Sequence, residues 1–347
     1  MLILSNEDAE SLLTLSDCIT ALEQAYTEYA HGRAANAPRS DAVSTTARPD
    51  AVYSLKLMGA VIPSLDVSVV RLNSDIISFG EKRQVKLPLA PGNRYTGLVL
   101  LFSVNTGEPL AIFPDGVLQC MRVGATSALA TRYMARKNPR TAAVIGAGWQ
   151  ASGHIKAITA LHALTEIRCY SPTRDKLVAF CGEMSKLTGV AVVPAASPEA
   201  AVKGADIVLC ATNASQHVFK AEWLEPGMHV CTIRGPELEP GVVTQSDLVA
   251  VNDRVAHENF SVTQGVTLPK NRHSIAGLDP KTTPTLGDLI AGLAPGRVSD
   301  EQKSCFVNLP GIGLQFAAVG GALYQKALAA KCGHELPTEW FTEDVVP

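Results

Sequence analysis

The chain has 347 residues, 46% hydrophobic and 18% charged, a length and composition that support sizeable buried cores in two domains and exclude a largely disordered chain. Lys+Arg number 30 against 33 Asp+Glu, and a net charge of −3 argues against a nucleic-acid or membrane-surface partner.

In chain order, Met1 to Asp8 lacks the basic region and long apolar stretch of a signal peptide. The first segment then reads as a helix over 17–30, with Ser16 as N-cap, Ile19, Leu22, Tyr26 and Tyr29 at helical spacing, and Gly32 ending the run. From residue 52 to 104, short β-rich runs such as 51–57 and 97–102 are separated by Gly, Pro and Asn, the pattern of a small sheet with turns. Asn105-Thr106-Gly107-Glu108-Pro109 marks a turn before another apolar run. An Ala-rich stretch over 118–137 reads as a helix that ends before Asn138-Pro139.

From Arg140 onward strands and helices alternate. Strands are expected over 141–145, 166–170, 190–193, 207–211, 229–233 and 248–251, and helices over 152–164, 175–187 and 198–202, the last capped by Ser197. Such alternation predicts a parallel α/β sheet. A long Ala-rich helix follows over 314–330, stopped near Gly333, and the tail over 335–347 is expected at the surface. No apolar run reaches the ~18 residues a membrane span needs, so a soluble cytoplasmic protein is expected. The eight cysteines form no CxxC pair and read as buried reduced thiols, and the eight histidines show no metal-ligand spacing, so no metal is expected.

The run Val144-Ile145-Gly146-Ala147-Gly148-Trp149-Gln150-Ala151 places a Gly-rich turn between a strand and a helix, as a dinucleotide pyrophosphate requires. Gly146 permits the tight turn, Gly148 lets the backbone approach the phosphates, and the helix start at Trp149 and Gln150 offers free N–H groups. Alone the pattern fits a turn that binds nothing; the strands that follow favour a nicotinamide cofactor. The second strand ends in Tyr170-Ser171-Pro172-Thr173-Arg174, with no carboxylate for a ribose 2′-OH. Ser171, Thr173 and Arg174 suit a 2′-phosphate, so NADP(H) is favoured and NAD(H) is the alternative, although Arg174 also reads as a solvated residue at a helix start. Thr212 and Asn213, at the end of the fourth strand, are candidates for the nicotinamide side, with a turn-forming role for Asn213 beside it.

Pro114-Asp115-Gly116, Met121-Arg122-Val123-Gly124-Ala125-Thr126-Ser127-Ala128 and the 145–151 turn together resemble the ornithine cyclodeaminase/mu-crystallin family. The resemblance implies a Rossmann-type dinucleotide-binding domain over 120–310, and a smaller, discontinuous α+β substrate and dimerisation domain from 1–119 and 311–347, in a homodimer. It implies hydride transfer between the cofactor and a carbon bearing nitrogen and a carboxylate. The substrate is then a small amino or imino acid, most simply a cyclic ketimine or α-imino carboxylate reduced to the amino acid, or the reverse. A cyclodeaminase-type lyase with bound NAD and a mu-crystallin-like ligand-binding protein are the alternatives.

By the same resemblance Arg39, Lys56 and Arg122 are the substrate cations, with Lys56 and Arg122 also catalytic and Glu237 or Asp115 a proton donor or relay. Lys56 also fits an edge-strand gatekeeper, Arg39 a solvated loop residue, and Asp115 a stabiliser of the Asp-Gly turn. The sequence departs from the cyclodeaminase pattern in two places: Pro236 stands at a carboxylate position, with Glu237 one residue later, and Phe316 stands where an Asp is expected. Both move the pocket away from a diamino acid. The segment 70–94, with Arg71, Asp75, Glu81, Lys82, Arg83, Lys86 and Arg94, reads either as a solvated charged hairpin or as a loop that recognises a second anionic group.

Overall fold

The computed structural model describes residues 1–79, 84–254, 259–266, 275, 277–279 and 281–344. Strand β1 (Leu2–Ile3) leads into helices α1 (Asn6–Leu12) and α2 (Leu15–Ala30). Each helix opens on a capping box. In α2 the Thr14 hydroxyl accepts from the Asp17 N–H, and the Asp17 carboxylate accepts from the Thr14 N–H. The expected cap, Ser16, therefore sits inside the helix, because the box needs its acid three residues on. Strands β2 (Ala35–Asn36), β3 (Ser40–Thr45), β4 (Ala51–Ile62), β5 (Val67–Phe79), β6 (Gln84–Leu87), β7 (Thr96–Phe102) and β8 (Pro109–Pro114) follow.

Helix α3 (Gly116–Met134) then leads into the alternating half: β9 (Thr141–Ile145), α4 (Trp149–Leu161), β10 (Glu166–Tyr170), α5 (Arg174–Thr188), β11 (Ala191–Pro194), α6 (Pro198–Val202), β12 (Ile207–Cys210), β13 (His229–Thr232), α7 (Pro240–Thr244) and β14 (Leu248–Val251). The described chain ends with β15 (Asn259–Val262), α8 (Leu286–Ile290), β16 (Ser304–Val307), α9 (Gly313–Ala330) and β17 (His334–Glu335).

The described strands form two sheets. One is parallel throughout, in the order β11-β10-β9-β12-β13-β16-β14, with the strand order reversing beside β9. This is the expected Rossmann-type sheet, with β16 as a strand the sequence pattern did not mark. The other runs β15-β3-β4-β5-β7-β8-β1-β17, with β2 and β6 paired at its side. β15 joins this second sheet by pairing with β3, so a piece of the 120–310 stretch crosses to the other half.

In β4 the even-numbered residues from Ser54 to Ile62 are buried, and in β5 the odd-numbered ones from Val67 to Ile77; the register brings them to one face. Helix α9 covers part of that face, with α2 packed on α9 and α3. Within the segment 70–94, β5 and β6 do pair antiparallel as a hairpin, but its first part is not solvated and is no covering loop. Arg71 and Asp75 lie in a central strand and are buried, because period-2 alternation turns them inward; Glu81, Lys82 and Arg83 lie outside the described residues. The tail is paired too: β17 lies antiparallel to β1.

Helices α3 and α4 cross at a glycine pair. A Cβ on Gly124 would fall 2.5 Å from the Gly153 carbonyl oxygen, so only hydrogens allow this approach. The contact fixes α3, which carries Arg122, against the helix that begins at the Gly-rich turn.

Candidate active site

A cleft of about 1130 Å³ opens between the two sheets. On its Rossmann side, β9 ends in the turn 146–148, which itself lies outside the lining while Trp149 and Gln150 just after it line the cleft. Gly146 has φ +126°, and a Cβ there would lie 2.3 Å from the Ala211 carbonyl oxygen of the neighbouring strand end, so the fold itself requires glycine. Gly148 is different: it is the N-cap of α4, and a Cβ there would meet nothing within 4 Å. No side chain caps α4, which leaves the backbone N–H groups of its first turn without a side-chain acceptor. A bare, uncapped helix start beside an open glycine fits a pyrophosphate, and the residues present fit a dinucleotide. Trp149, Gln150, Thr212 and Asn213 all line the cleft next to it.

The opposite wall is charged. Arg71, Asn73 and Asp75 project from alternate positions of β5, with Lys56 beside them on β4. β4 is flanked by β3 and β5, so Lys56 is no edge gatekeeper. Its ammonium donates to Asp75, which also pairs with Lys86 at 2.9 Å. Burial, and secondarily Lys86, push the Lys56 pKa down to about 8 against the pull of Asp75. Burial would raise the Asp75 carboxyl, but Lys86 and Lys56 hold it below its ordinary value. Asp115 does more than close a turn. Its Oδ2 accepts from Arg71 Nε at 2.9 Å, Arg71 Nη2 at 2.6 Å and Asn73 Nδ2 at 2.8 Å. Arg39 pairs with Asp41 at 2.7 Å on the same wall and is not merely solvated.

Arg122 lies buried in the first half of α3. Its Nη1 donates to Gln315 and its Nη2 to Gln119 Oε1 at 2.9 Å, while its buried Nε has no partner. Gln315 is oriented in turn, since its amide nitrogen donates to Tyr26 at 3.0 Å and Thr126 at 2.9 Å. The Arg122 guanidinium lies 4.9 Å from the centroid of the Phe316 ring, and that of Arg71 lies 5.1 Å from it. Phe316 thus replaces a counter-charge with an aromatic face. Burial and the neighbouring Arg71 lower the Arg122 pKa to about 9, still a cation at neutral pH.

Glu237 does not join this group. It is fully buried, and five donors surround it: the N–H and hydroxyl of Thr212 on one oxygen, and the Thr232 hydroxyl and the Ile233 and Arg234 N–H groups on the other. Burial pushes its pKa up against these hydrogen bonds. The carboxylate ties the end of β12 to the end of β13 and is absent from the cleft lining, whereas Pro236 lines it. Buried among these five donors and outside the cleft lining, Glu237 is not placed to pass a proton to a ligand in the cleft, the role expected of it from the sequence. Ser171, Thr173 and Arg174 also lie outside the cleft lining, at the end of β10, where Arg174 Nη1 donates to the Ala195 carbonyl at 3.1 Å.

Sequence reasoning did not single out Asn73, Gln119, Gln315 or Asn308 as site residues. For Asn73 a signal existed in the Arg71-x-Asn73-x-Asp75 alternation; the others are polar residues on buried segments, with no spacing that marks them.

The ornithine cyclodeaminase/mu-crystallin family model matches residues 1–330. The alanine dehydrogenase of Archaeoglobus fulgidus is 27% identical, covering 96% of this chain and 98% of that protein. A Δ1-pyrroline-2-carboxylate reductase of Bacillus cereus is also 27% identical, with 97% and 99% covered. Among solved structures, the Thermococcus litoralis Δ1-pyrroline-2-carboxylate reductase in complex with NADH and L-proline is similar at a TM-score of 0.79 and 26% identity, covering 97% of this chain and all of that one. An archaeal alanine dehydrogenase dimer with bound NAD has the same TM-score at 24% identity, over 97% and 99% of the two chains, and bears on the fold alone.

Proposed function

The chain belongs to the ornithine cyclodeaminase/mu-crystallin family, and from that premise we propose that it is a nicotinamide-dependent oxidoreductase acting on a C–N bond. It reduces an imine, a cyclic ketimine or α-imino carboxylate, to the amino acid, or runs the reverse dehydrogenation. Arg122 carries the reading. It is a buried cation that lines the cleft, held by neutral amides and an aromatic ring, with no carboxylate paired to it among the described residues. A substrate carboxylate is the counter-ion such a group calls for. The alanine dehydrogenase and pyrroline-2-carboxylate reductase relatives support the same chemistry.

When bound, the nicotinamide supplies or accepts the hydride. Gly146, Gly148, Trp149 and Gln150 hold the dinucleotide, with Thr212 and Asn213 on its nicotinamide side. Arg122 and Arg39 grip the carboxylate, and the Asp115–Arg71 pair keeps the neighbouring wall rigid. Lys56 holds a proton at Nζ for the reacting nitrogen, at a pKa from which the proton is readily given up. A lyase reading needs a carboxylate facing the substrate amine, and at that corner of the cleft Pro236 offers none.

The finer features of the reading are also ours. Ser171, Thr173 and the exposed Arg174 support NADP(H) over NAD(H), because the end of β10 carries no acid for a ribose hydroxyl. Leu57, Val61 and Val70 stand partly exposed on the outer face of β4 and β5, an apolar surface that supports a homodimer. Free cysteines support a reducing, cytoplasmic setting. The domain division stays at 1–119 with 311–347 against 120–310, apart from β15.

The test is cofactor absorbance with purified protein over a panel of cyclic imines and 2-oxo acids with amines. Consumption of NADPH ahead of NADH is expected, and Arg174→Ala should lower that preference roughly tenfold. Ornithine converted to proline with no net cofactor change would overturn the reductase in favour of the lyase. Lys56 is protonated below about pH 8, so reductive kcat/KM should hold there and fall as pH rises through about 8.

A further inference from the structure

Asn308 follows β16 and lines the cleft with only 4% of its surface exposed. Its amide nitrogen donates to the Val123 carbonyl at 3.2 Å and to Ser127 Oγ at 2.9 Å, both on α3. Its Oδ1 is buried and has no partner. The amide cannot be turned over, since that would set oxygen against the Val123 carbonyl, which has no hydrogen to offer.

The Ser127 hydrogen is committed as well. On α4, His154 Nδ1 lies 2.7 Å from the Gln150 carbonyl oxygen, so this nitrogen carries the proton. Nε2, 3.0 Å from Ser127 Oγ, is then the acceptor, and the Ser127 hydroxyl donates to it. Burial keeps the imidazole neutral, with its pKa pushed down to about 4. The Cys231 thiol donates to the same Ser127 oxygen at 3.3 Å. A chain of hydrogen bonds therefore runs from the backbone of Gln150, in the first turn of α4, through His154 and Ser127 to Asn308. Every donor in it is assigned, and one acceptor is left over, on the branch of the amide that turns away from α3.

A buried carbonyl without a donor is costly to keep and is normally completed by a protein group, an ordered water or a ligand, and Asn73 Oδ1 and Gln150 Oε1 in the lining of the same cleft share this state. We propose that Asn308 Oδ1 accepts an N–H from a bound reactant, either the carboxamide of the nicotinamide or the nitrogen of the imine substrate. The carboxamide presents an N–H as it stands, and the imine nitrogen presents one once it has taken the proton that Lys56 holds. The loop that carries Asn308 also meets Arg122, whose Nη1 is 2.7 Å from where a Cβ on Gly311 would sit. The carboxylate-binding cation and the N–H acceptor thus flank one stretch of the cleft, and an α-imino acid carries its nitrogen and carboxylate on one carbon. The assignment rests on the cofactor and imine reading above.

The test separates the two sources. Binding of NADPH and of its reduced analogue with an acetyl group in place of the carboxamide is followed by cofactor fluorescence, without substrate, for the wild type and Asn308→Leu. If the carboxamide is the donor, the wild type binds NADPH roughly tenfold tighter than the acetyl form, and the variant binds the two alike. If the substrate nitrogen is the donor, cofactor binding is unchanged in the variant. In that case kcat/KM falls roughly tenfold for the imine turned over in the panel, Δ1-pyrroline-2-carboxylate being tried first. A role in packing alone would shift the melting temperature without separating carboxamide from acetyl. Should the leucine variant not fold, Asn308→Ser, too short to reach, replaces it. Equal affinity for both cofactor forms together with unchanged kcat/KM overturns the proposal and leaves the reductase standing. A protein that binds no dinucleotide at all overturns both.

Discussion

The two sheets put polar groups to opposite uses. In the parallel sheet β12, β13 and β16 are buried at every residue and carry no carboxylate, Lys or Arg. Their contribution to the site comes only from strand ends: a bare turn, an uncapped helix, Thr212, Asn308. In the other sheet β5 carries Arg71, Asn73 and Asp75 in mid-strand. A strand buried on both faces has no room for a charge, so chemistry is displaced to its C-terminal edge. A strand with one face on a cleft can carry charges inward, provided each finds a partner, as Arg71 does in Asp115 and Lys56 in Asp75. Arg122, on the helix between the sheets, is a buried cation that this pairing leaves out among the described residues.

The strongest way to break that contrast is to remove Arg122. Arg122→Met keeps the stem and deletes the charge; turnover should fall by about a hundredfold or more with cofactor affinity within a few-fold of wild type. Unaltered turnover would take Arg122 out of the site. A sharper cut lies within the Rossmann edge. Gly148→Ala should leave the melting temperature nearly unchanged and weaken dinucleotide binding roughly tenfold, since the added methyl enters space that the protein itself leaves open. Gly146→Ala should lower the melting temperature as well, because its methyl meets the Ala211 carbonyl. Equal melting temperatures for the two variants would contradict the geometry. The smallest effect on catalysis belongs to Glu237→Gln. An amide in place of the carboxylate sets an N–H group against one of the surrounding donors, and should cost about 1–3 kcal/mol of stability in a denaturant melt while kcat changes little. Loss of kcat at full stability would restore Glu237 to the catalytic group.

The alternating half was legible because most strands there are short, largely apolar runs bounded by turn residues; β9, β10, α6 and β14 fall where the pattern puts them. The sheet of the other half was harder to read. β4 and β5 are longer than their apolar runs, since polar and charged residues such as Ser54, Lys56, Arg71, Asn73 and Asp75 break the hydrophobic signal while remaining part of the strand. The same difference governs the site. Gly146 and Gly148 announce themselves, because a backbone requirement is written in one residue type at a fixed spacing. Arg39, Lys56 and Arg122 reach the cleft wall where the family resemblance put them, whereas Glu237 does not. A carboxylate next to Pro236 can turn either way, and only the positions of Thr212 and Thr232 decide that it turns inward.

Local order along the chain thus determined the strand–turn–helix that receives a dinucleotide, the parallel sheet around it and the absence of an acid at the end of β10. Alternation puts Arg71, Asn73 and Asp75 on one face of β5, but the tertiary structure alone decided that this face lines the cleft and that Phe316 carries two guanidinium groups. It also decided that Asn308 is left with an unclaimed oxygen. Those facts depend on contacts between residues as far apart as Arg71 and Asp115, or Arg122 and Gln315, and a pairing across such separations leaves no period in the sequence.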